Sequence, residues 1–217
     1  MQVIDPESFF AASGVSRETM ERLEAYEALL LKWQKSINLV SSATLTHLWA
    51  RHMWDSAQLA FIAPKATRLW VDVGCGAGFP GLVVAAILRD RPNFRMQLVE
   101  SDQRKCIFLR EAARIMDLPV EVHTSRIEKW EYGQGPKPDI ISARALASLG
   151  QILSWTSPFW GKETIGLFLK GQTAHQELTE TRKDWIFDVE TMASQSDGSG
   201  MVLKLWGLKD ANLRREP

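Results

Sequence analysis

"VDVGCGAGFPG", residues 71–81, places four glycines in eleven positions directly behind an apolar run, with one acid, Asp72, ahead of them and one proline, Pro80, inside them. Glycine at this density lets backbone N–H groups approach a ligand to contact distance and permits backbone angles that side chains forbid. The run Leu69–Val73 ahead of it reads as a buried strand, and Gly81–Arg89 behind it as a helix. A strand, a glycine loop and a helix N-terminus in that order form an anion-tolerant cradle at the carboxyl end of a strand.

Outward from the loop, short β-rich runs alternate with helical ones. Strands are expected at Met96–Glu100, Val120–Thr124, Asp139–Ser142 and Thr164–Leu169, with helices at Gln103–Met116, Ser148–Trp155 and Thr173–Lys183. Such alternation predicts an α/β fold with a mostly parallel sheet covered on both faces. Two further apolar runs, Trp185–Met192 and Met201–Trp206, flank "ASQSDGSG", whose turn chemistry predicts an antiparallel hairpin that closes a seven-stranded sheet. Ahead of the loop, Met20, Leu23, Tyr26, Leu30, Trp33 and Ile37 recur at helical spacing after Ser16, a suitable N-cap, and a second helix is expected over Leu45–Ile62 before Pro64. Residues 1–63 are therefore expected as a helical extension packed on a main domain of residues 64–217.

The composition is 45% apolar and 24% charged, with 26 basic and 26 acidic residues, so the chain is globular and a nucleic acid must be held by a local basic face. Two cysteines, Cys75 and Cys106, make no disulfide framework and no metal-ligand spacing, which points to a reduced, cytoplasmic setting without a metal. The start "MQVIDPESFF" lacks the basic and apolar regions of a signal peptide, and the longest aliphatic run is too short to span a bilayer, so no membrane partner is expected.

The identity of the ligand is contested at this level. Gly76, Gly78 and Gly81 satisfy the dinucleotide spacing, with Glu100 about twenty residues on, where a ribose-binding acid belongs. Asp72 ahead of the loop and the terminal hairpin are not asked for by a dinucleotide fold and suit an S-adenosylmethionine fold instead.

The loop, followed by "LVES", "SRIEKW", "ISARALASL" and "LKG" and preceded by "KWQKSINLVSS" and "RHMWDS", resembles the bacterial small-subunit ribosomal RNA guanine-N7 methyltransferase family, also called glucose-inhibited division protein B. The likeness runs in order from about Trp33 to Gly171. It implies a Rossmann-like class I S-adenosylmethionine-dependent methyltransferase. The cofactor is then S-adenosyl-L-methionine and the partner is 16S ribosomal RNA or the small ribosomal subunit, with the guanine at position 527 of that RNA as target; the oligomeric state is not fixed by the resemblance, and a monomer is expected. By the same resemblance Gly74 and Phe79 line the cofactor site, Ile127 and Glu128 bracket the adenine, and Arg144 stands at the mouth beside the reacting centre.

For the remaining residues the chemistry leaves two readings each. Asp72 either meets the methionine ammonium or holds loop N–H groups; Gly76 and Gly78 give the loop its close approach; Glu100 either accepts two ribose hydroxyls or is a helix N-terminal acid. Arg144, Lys170 and Arg51 are the cations placed near the target, against the plainer reading of surface ion pairs. Arg51 and Asp55 are four apart and suit a helix-face pair, and His52 suits a core histidine. Arg104, Lys105, Arg110, Arg114, Arg126, Arg214 and Arg215 extend a basic face or are solvated surface. Guanine N7 carries a free lone pair, so its methylation needs no general base; an oxidoreductase using NAD(P) and a non-catalytic RNA-assembly factor are the rival readings.

Overall fold

The computed structural model describes residues 3–133, 135–196 and 200–211. The chain starts with α1 (Pro6–Ser13), α2 (Arg17–Gln34), α3 (Ser42–Leu45), a π-helical stretch at Trp49–Trp54 and α4 (Asp55–Ile62). It continues as β1 (Leu69–Val73), α5 (Gly81–Leu88), β2 (Arg95–Glu100), α6 (Gln103–Ile115), β3 (Val120–Thr124), a 3-10 turn at Ile127–Lys129, β4 (Ile140–Arg144), α7 (Leu149–Thr156), β5 (Ile165–Lys170), α8 (Ala174–Thr181), β6 (Trp185–Ala193) and β7 (Met201–Asp210). The seven strands lie in the order β3-β2-β1-β4-β5-β7-β6, with β1 to β5 parallel and β7 antiparallel to both its neighbours. Strand order reverses between β1 and β4, which is where an open α/β sheet leaves a crevice beyond its strand ends. Among the described residues no helix is long and apolar enough to cross a membrane.

The expected elements of the sheet are present to within a few residues, and β7 runs on to Asp210 where the hairpin strand was expected to stop at Trp206. Part of the hairpin's "ASQSDGSG" turn, residues 197–199, lies outside the described residues, as do Arg214 and Arg215. Two features of the helical lead differ from expectation. Asp5 caps a first helix through a capping box with Ser8, and Pro6 at its first position needs no N–H donor there. The single helix expected over Leu45–Ile62 is instead α3, the π-helical stretch and α4. That stretch buries Trp49, His52, Met53 and Trp54, while Ser56 to Ala60 behind it are buried without a break, more than a one-faced α-helix can turn inward.

The lead and the sheet share one core. Leu23 and Leu30 of α2, Met53 of the π-helical stretch and Leu59 of α4 are fully buried in the same cluster as Leu82, Met96 and Phe108. Tyr26 crosses this boundary: its ring is fully buried, and its hydroxyl donates to the Ala77 carbonyl of the glycine loop at 2.5 Å. Tyr26→Phe leaves that carbonyl buried without its donor, so unfolding in urea is expected to show a loss of about 1–3 kcal/mol. A change below the error of that measurement would mean that the bond holds nothing.

Candidate active site

The loop after β1 is held from behind by Asp72. Its carboxylate is fully buried; Oδ2 accepts the Gly81 N–H at 3.0 Å and Oδ1 accepts the Ser142 hydroxyl of β4 at 2.6 Å, while Trp70 Nε1 donates to the same hydroxyl at 2.8 Å. Of the two sequence readings of Asp72, this is the loop-holding one, and Asp72 is not among the residues of the cleft wall. A side chain at Gly81 would put its Cβ 2.8 Å from Asp72 Oδ2, which explains that glycine. Gly76 is glycine for a different reason: its φ is +55°, and its missing side chain would point into open space. Gly78 also has a positive φ but faces Leu82 and Leu109, so it serves packing and does not reach the cleft.

In front of the loop lies a cleft of about 450 Å³, lined by Gly74, Gly76, Phe79, Glu100, Ile127, Glu128 and Arg144 among others. The topology thus gathers residues from four separate segments, at the ends of β1, β2 and β4 and in the 3-10 turn after β3. Glu100 is buried at the end of β2, with Oε2 accepting the Gly76 N–H at 2.9 Å and Oε1 accepting the Asp102 N–H at 2.8 Å. Each oxygen retains acceptor capacity toward a ligand. Leu39, Val40 and Trp155 also line the cleft and were not singled out as site residues in the sequence, and Lys105, read there only as part of a basic face, lines it too. Leu39 and Val40 lie in "SINLVSS", where only their position in a recognisable motif marked them.

Arg144 forms the boundary of this cleft with a second cavity of about 280 Å³, which Arg51, Asp55, Lys170, Glu177, Ser194 and Ser196 help to line. Its Nη2 lies 2.8 Å from His52 Nδ1, and His52 Nε2 lies 2.9 Å from the Thr44 hydroxyl. Arginine only donates, so Nδ1 is the acceptor and His52 is the neutral Nε2–H tautomer. Phe79 packs against both, its ring 4.9 Å from the His52 ring and 5.9 Å from the Arg144 guanidinium carbon. Lys170 stands at the cavity wall, but its ammonium donates to the Ala147 carbonyl at 2.6 Å and pairs with Glu177 at 2.8 Å. That half-buried pair ties the end of β5 to α8, and the bond to Ala147 ties it to the loop after β4. Arg51 is exposed at the same cavity.

His52 and Asp72 are both pushed far from their usual ranges. Burial, then the charges of Arg144 and Arg51, push His52 down from 6.5 to about 3. Between those values the unfolded chain binds a proton that the folded chain refuses, so this contribution to stability is full above about pH 6.5 and falls as pH drops toward 3. Burial pushes Asp72 up from 3.8 to about 7, against the hydrogen bonds from Ser142 and Gly81, so its contribution runs the other way, full below about pH 3.8 and lost as pH rises through 7. His52→Gln keeps an acceptor for Arg144 and a donor for Thr44 without a titrating ring. The stability of the wild type relative to this variant is expected to fall between about pH 6.5 and pH 4, by up to about 1.4 kcal/mol per pH unit. A difference that stays constant with pH would show that His52 titrates normally.

Comparison with known proteins bears on the contest between ligands. The family model for rRNA small subunit methyltransferase G matches residues 19–200. The chain is 58% identical to the ribosomal RNA small subunit methyltransferase G of Parvibaculum lavamentivorans, over 95% of this chain and 91% of that protein. It is 45% identical to the protein of the same name from Methylobacterium sp. strain 4-46, over 95% and 97%. Among solved structures, the O-methyltransferase TomG from Streptomyces achromogenes, in complex with SAM, superposes with a TM-score of 0.57 at 12% identity, covering 86% of this chain and 89% of that one. An O-methyltransferase from Bacillus cereus in complex with SAH does so with a TM-score of 0.57 at 12% identity, covering 93% and 100%. These two likenesses speak for the fold, which is the α/β Rossmann-like sheet of class I methyltransferases. With a family match over most of its length and relatives of this identity, the chain belongs to the rRNA small subunit methyltransferase G family.

Proposed function

We propose that this chain works in the cytoplasm as a monomeric enzyme that methylates N7 of a guanine in 16S ribosomal RNA, the guanine at position 527 by family resemblance, with S-adenosyl-L-methionine as methyl donor. The observation that carries this reading is the pair of cavities that meet at Arg144 and Ala145, one bordered by the glycine loop and the other smaller. About 450 Å³ falls within the range of a cofactor-sized site, whereas about 280 Å³ suits a single base. The residues present fit the donor: open space in front of Gly76 admits a ligand against the backbone, and the buried Glu100 carboxylate has lone pairs left for ribose hydroxyls. When bound, S-adenosyl-L-methionine supplies a methyl group on a cationic sulfur, which the N7 lone pair takes while the C–S electron pair stays on sulfur.

The chain's own residues then have to orient and tolerate charge. Glu100 holds the ribose, Ile127 and Glu128 bracket the adenine, and Gly74 and Phe79 close the wall toward the reacting centre. Arg144, locked by His52, stands between donor and base. No proton has to leave, so holding the reactants in line is the main contribution, worth up to about 7–11 kcal/mol. The helical lead, residues 1–63, serves as an extension of the methyltransferase domain at 64–217 and brings Arg51 to the entrance, where it meets an RNA phosphate. A base edge in folded RNA is reached by splaying the base out of its stack.

Two measurements test these assignments. Glu100→Ala is expected to weaken adenosylhomocysteine binding by about 1–3 kcal/mol in calorimetry, and unchanged affinity in a folded variant removes the ribose role. Transfer of a tritiated methyl group to small subunits, with the labelled nucleotide mapped, tests the reaction itself; label elsewhere than a guanine N7 would end the proposal. In that assay Arg51→Ala is expected to lower transfer and reduce the salt slope by about one charge, with adenosylhomocysteine affinity intact. Full transfer at every salt concentration would make Arg51 ordinary surface.

A further inference from the structure

The smaller cavity is bordered by Asp55 and Arg144, an acceptor and a donor that are each held in place from behind. Asp55, the first residue of α4, uses Oδ1 to accept the Ser194 and Ser196 hydroxyls, each at 2.8 Å, and the Gln58 amide at 3.3 Å. Its Oδ2 lies 3.8 Å from Arg144 Nη1, close enough for ionic attraction and too far for a hydrogen bond. Arg144 Nη2 is occupied by His52, while Nη1 is buried and, among the described residues, has no hydrogen-bond partner. A buried guanidinium N–H without an acceptor is costly, and a ligand oxygen placed there relieves the cost.

Side by side, the two atoms offer one donor and one acceptor to whatever enters. Guanine presents the complementary pair on adjacent positions, an O6 acceptor beside an N1–H donor, whereas adenine presents an amino donor beside an N1 acceptor and meets both atoms with the wrong sign. In guanine N7 lies on the far side of O6 from N1. A base seated with O6 on Arg144 and N1–H on Asp55 therefore turns N7 toward the wall shared with the larger cleft. That wall is Arg144 and Ala145, and Ala145 holds a φ of +50°, a strained angle for a residue with a side chain.

We propose, on the reading that the enzyme methylates guanine N7, that Asp55 Oδ2 and Arg144 Nη1 together read the N1–H and O6 of the target base and so make the enzyme specific for guanine. As N7 takes the methyl group the base becomes a cation and N1–H becomes more acidic. The bond to Asp55 then strengthens along the reaction, so Asp55 contributes to rate as well as to choice of base.

The test needs the wild-type enzyme first. Small subunits are rebuilt on 16S RNA ligated from a synthetic segment with guanine, inosine or 2-aminopurine at the methylated position. Inosine keeps N7, O6 and N1–H and loses only the 2-amino group, whereas 2-aminopurine keeps N7 and the amino group and loses O6 and N1–H. Inosine is expected to be methylated with kcat/KM within about threefold of guanine, and 2-aminopurine to fall by about 10- to 100-fold. Asp55→Asn retains an oxygen for Ser194 and Ser196. It is expected to lower transfer to guanine and inosine by about 10- to 100-fold, to leave transfer to 2-aminopurine undiminished because that base has no N1–H for Asp55 to lose, and to leave adenosylhomocysteine affinity within about twofold of the wild type. Methylation of 2-aminopurine within about threefold of guanine, or an equal loss on all three bases in the variant, overturns the inference while leaving the methyltransferase reading in place. If the wild type labels no guanine, the reading itself fails and takes the inference with it.

Discussion

The buried Asp72 carboxylate joins the end of β1, the start of α5 and the middle of β4 through two hydrogen bonds, and the position of the site depends on it. A carboxylate taken fully out of water is costly unless its oxygens are satisfied. Here one oxygen takes the Gly81 N–H at the helix start and the other the Ser142 hydroxyl, itself tied to Trp70. Both bonds converge where the strand order turns from β1 to β4, so the place at which the sheet opens is tied together by a buried polar cluster. The glycine loop in front can therefore dispense with side chains and still hold its shape.

Three polar links carry that definition outward into the helical lead. Tyr26 reaches the loop at Ala77, His52 holds Arg144 at the end of β4, and Asp55 with Gln58 grips the segment that follows β6. The Gln195 N–H donates to Gln58 Oε1 at 2.8 Å, so the lead and the hairpin are connected through backbone as well as hydroxyls. The lead thus contributes Leu39, Val40 and His52 to the wall of the larger cavity and Arg51 and Asp55 to that of the smaller, in addition to packing against α5 and α6.

Much of this was legible before the structure. The alternation of β-rich and helical runs read correctly as a parallel sheet with a terminal hairpin, because strand and helix periods are local properties of side-chain order. The first helix, outside the expected elements, carries a local signature in Asp5 before Pro6 with Ser8 three residues after the acid. The π-helical stretch had no such signature. Its apolar spacing over "WARHMW" satisfies an α-helix equally well, and the choice follows from what the residues on either side must bury.

By itself, the sequence determined the order of the elements, the glycine loop at a strand end, and the family to which its motifs belong. Tertiary structure decided what each charged residue does, because charge identity is local while the partner of a charge is not. Lys170 and Glu177 are seven residues apart and meet across β5 and α8; Arg144 meets His52 from ninety-two residues away; Asp55 meets Ser194 from one hundred and thirty-nine. Such distances leave no periodicity to read. Asp72 and Glu100 looked alike as strand-end acids, and only the fold separates the one that holds the loop from behind from the one that stands at its open face.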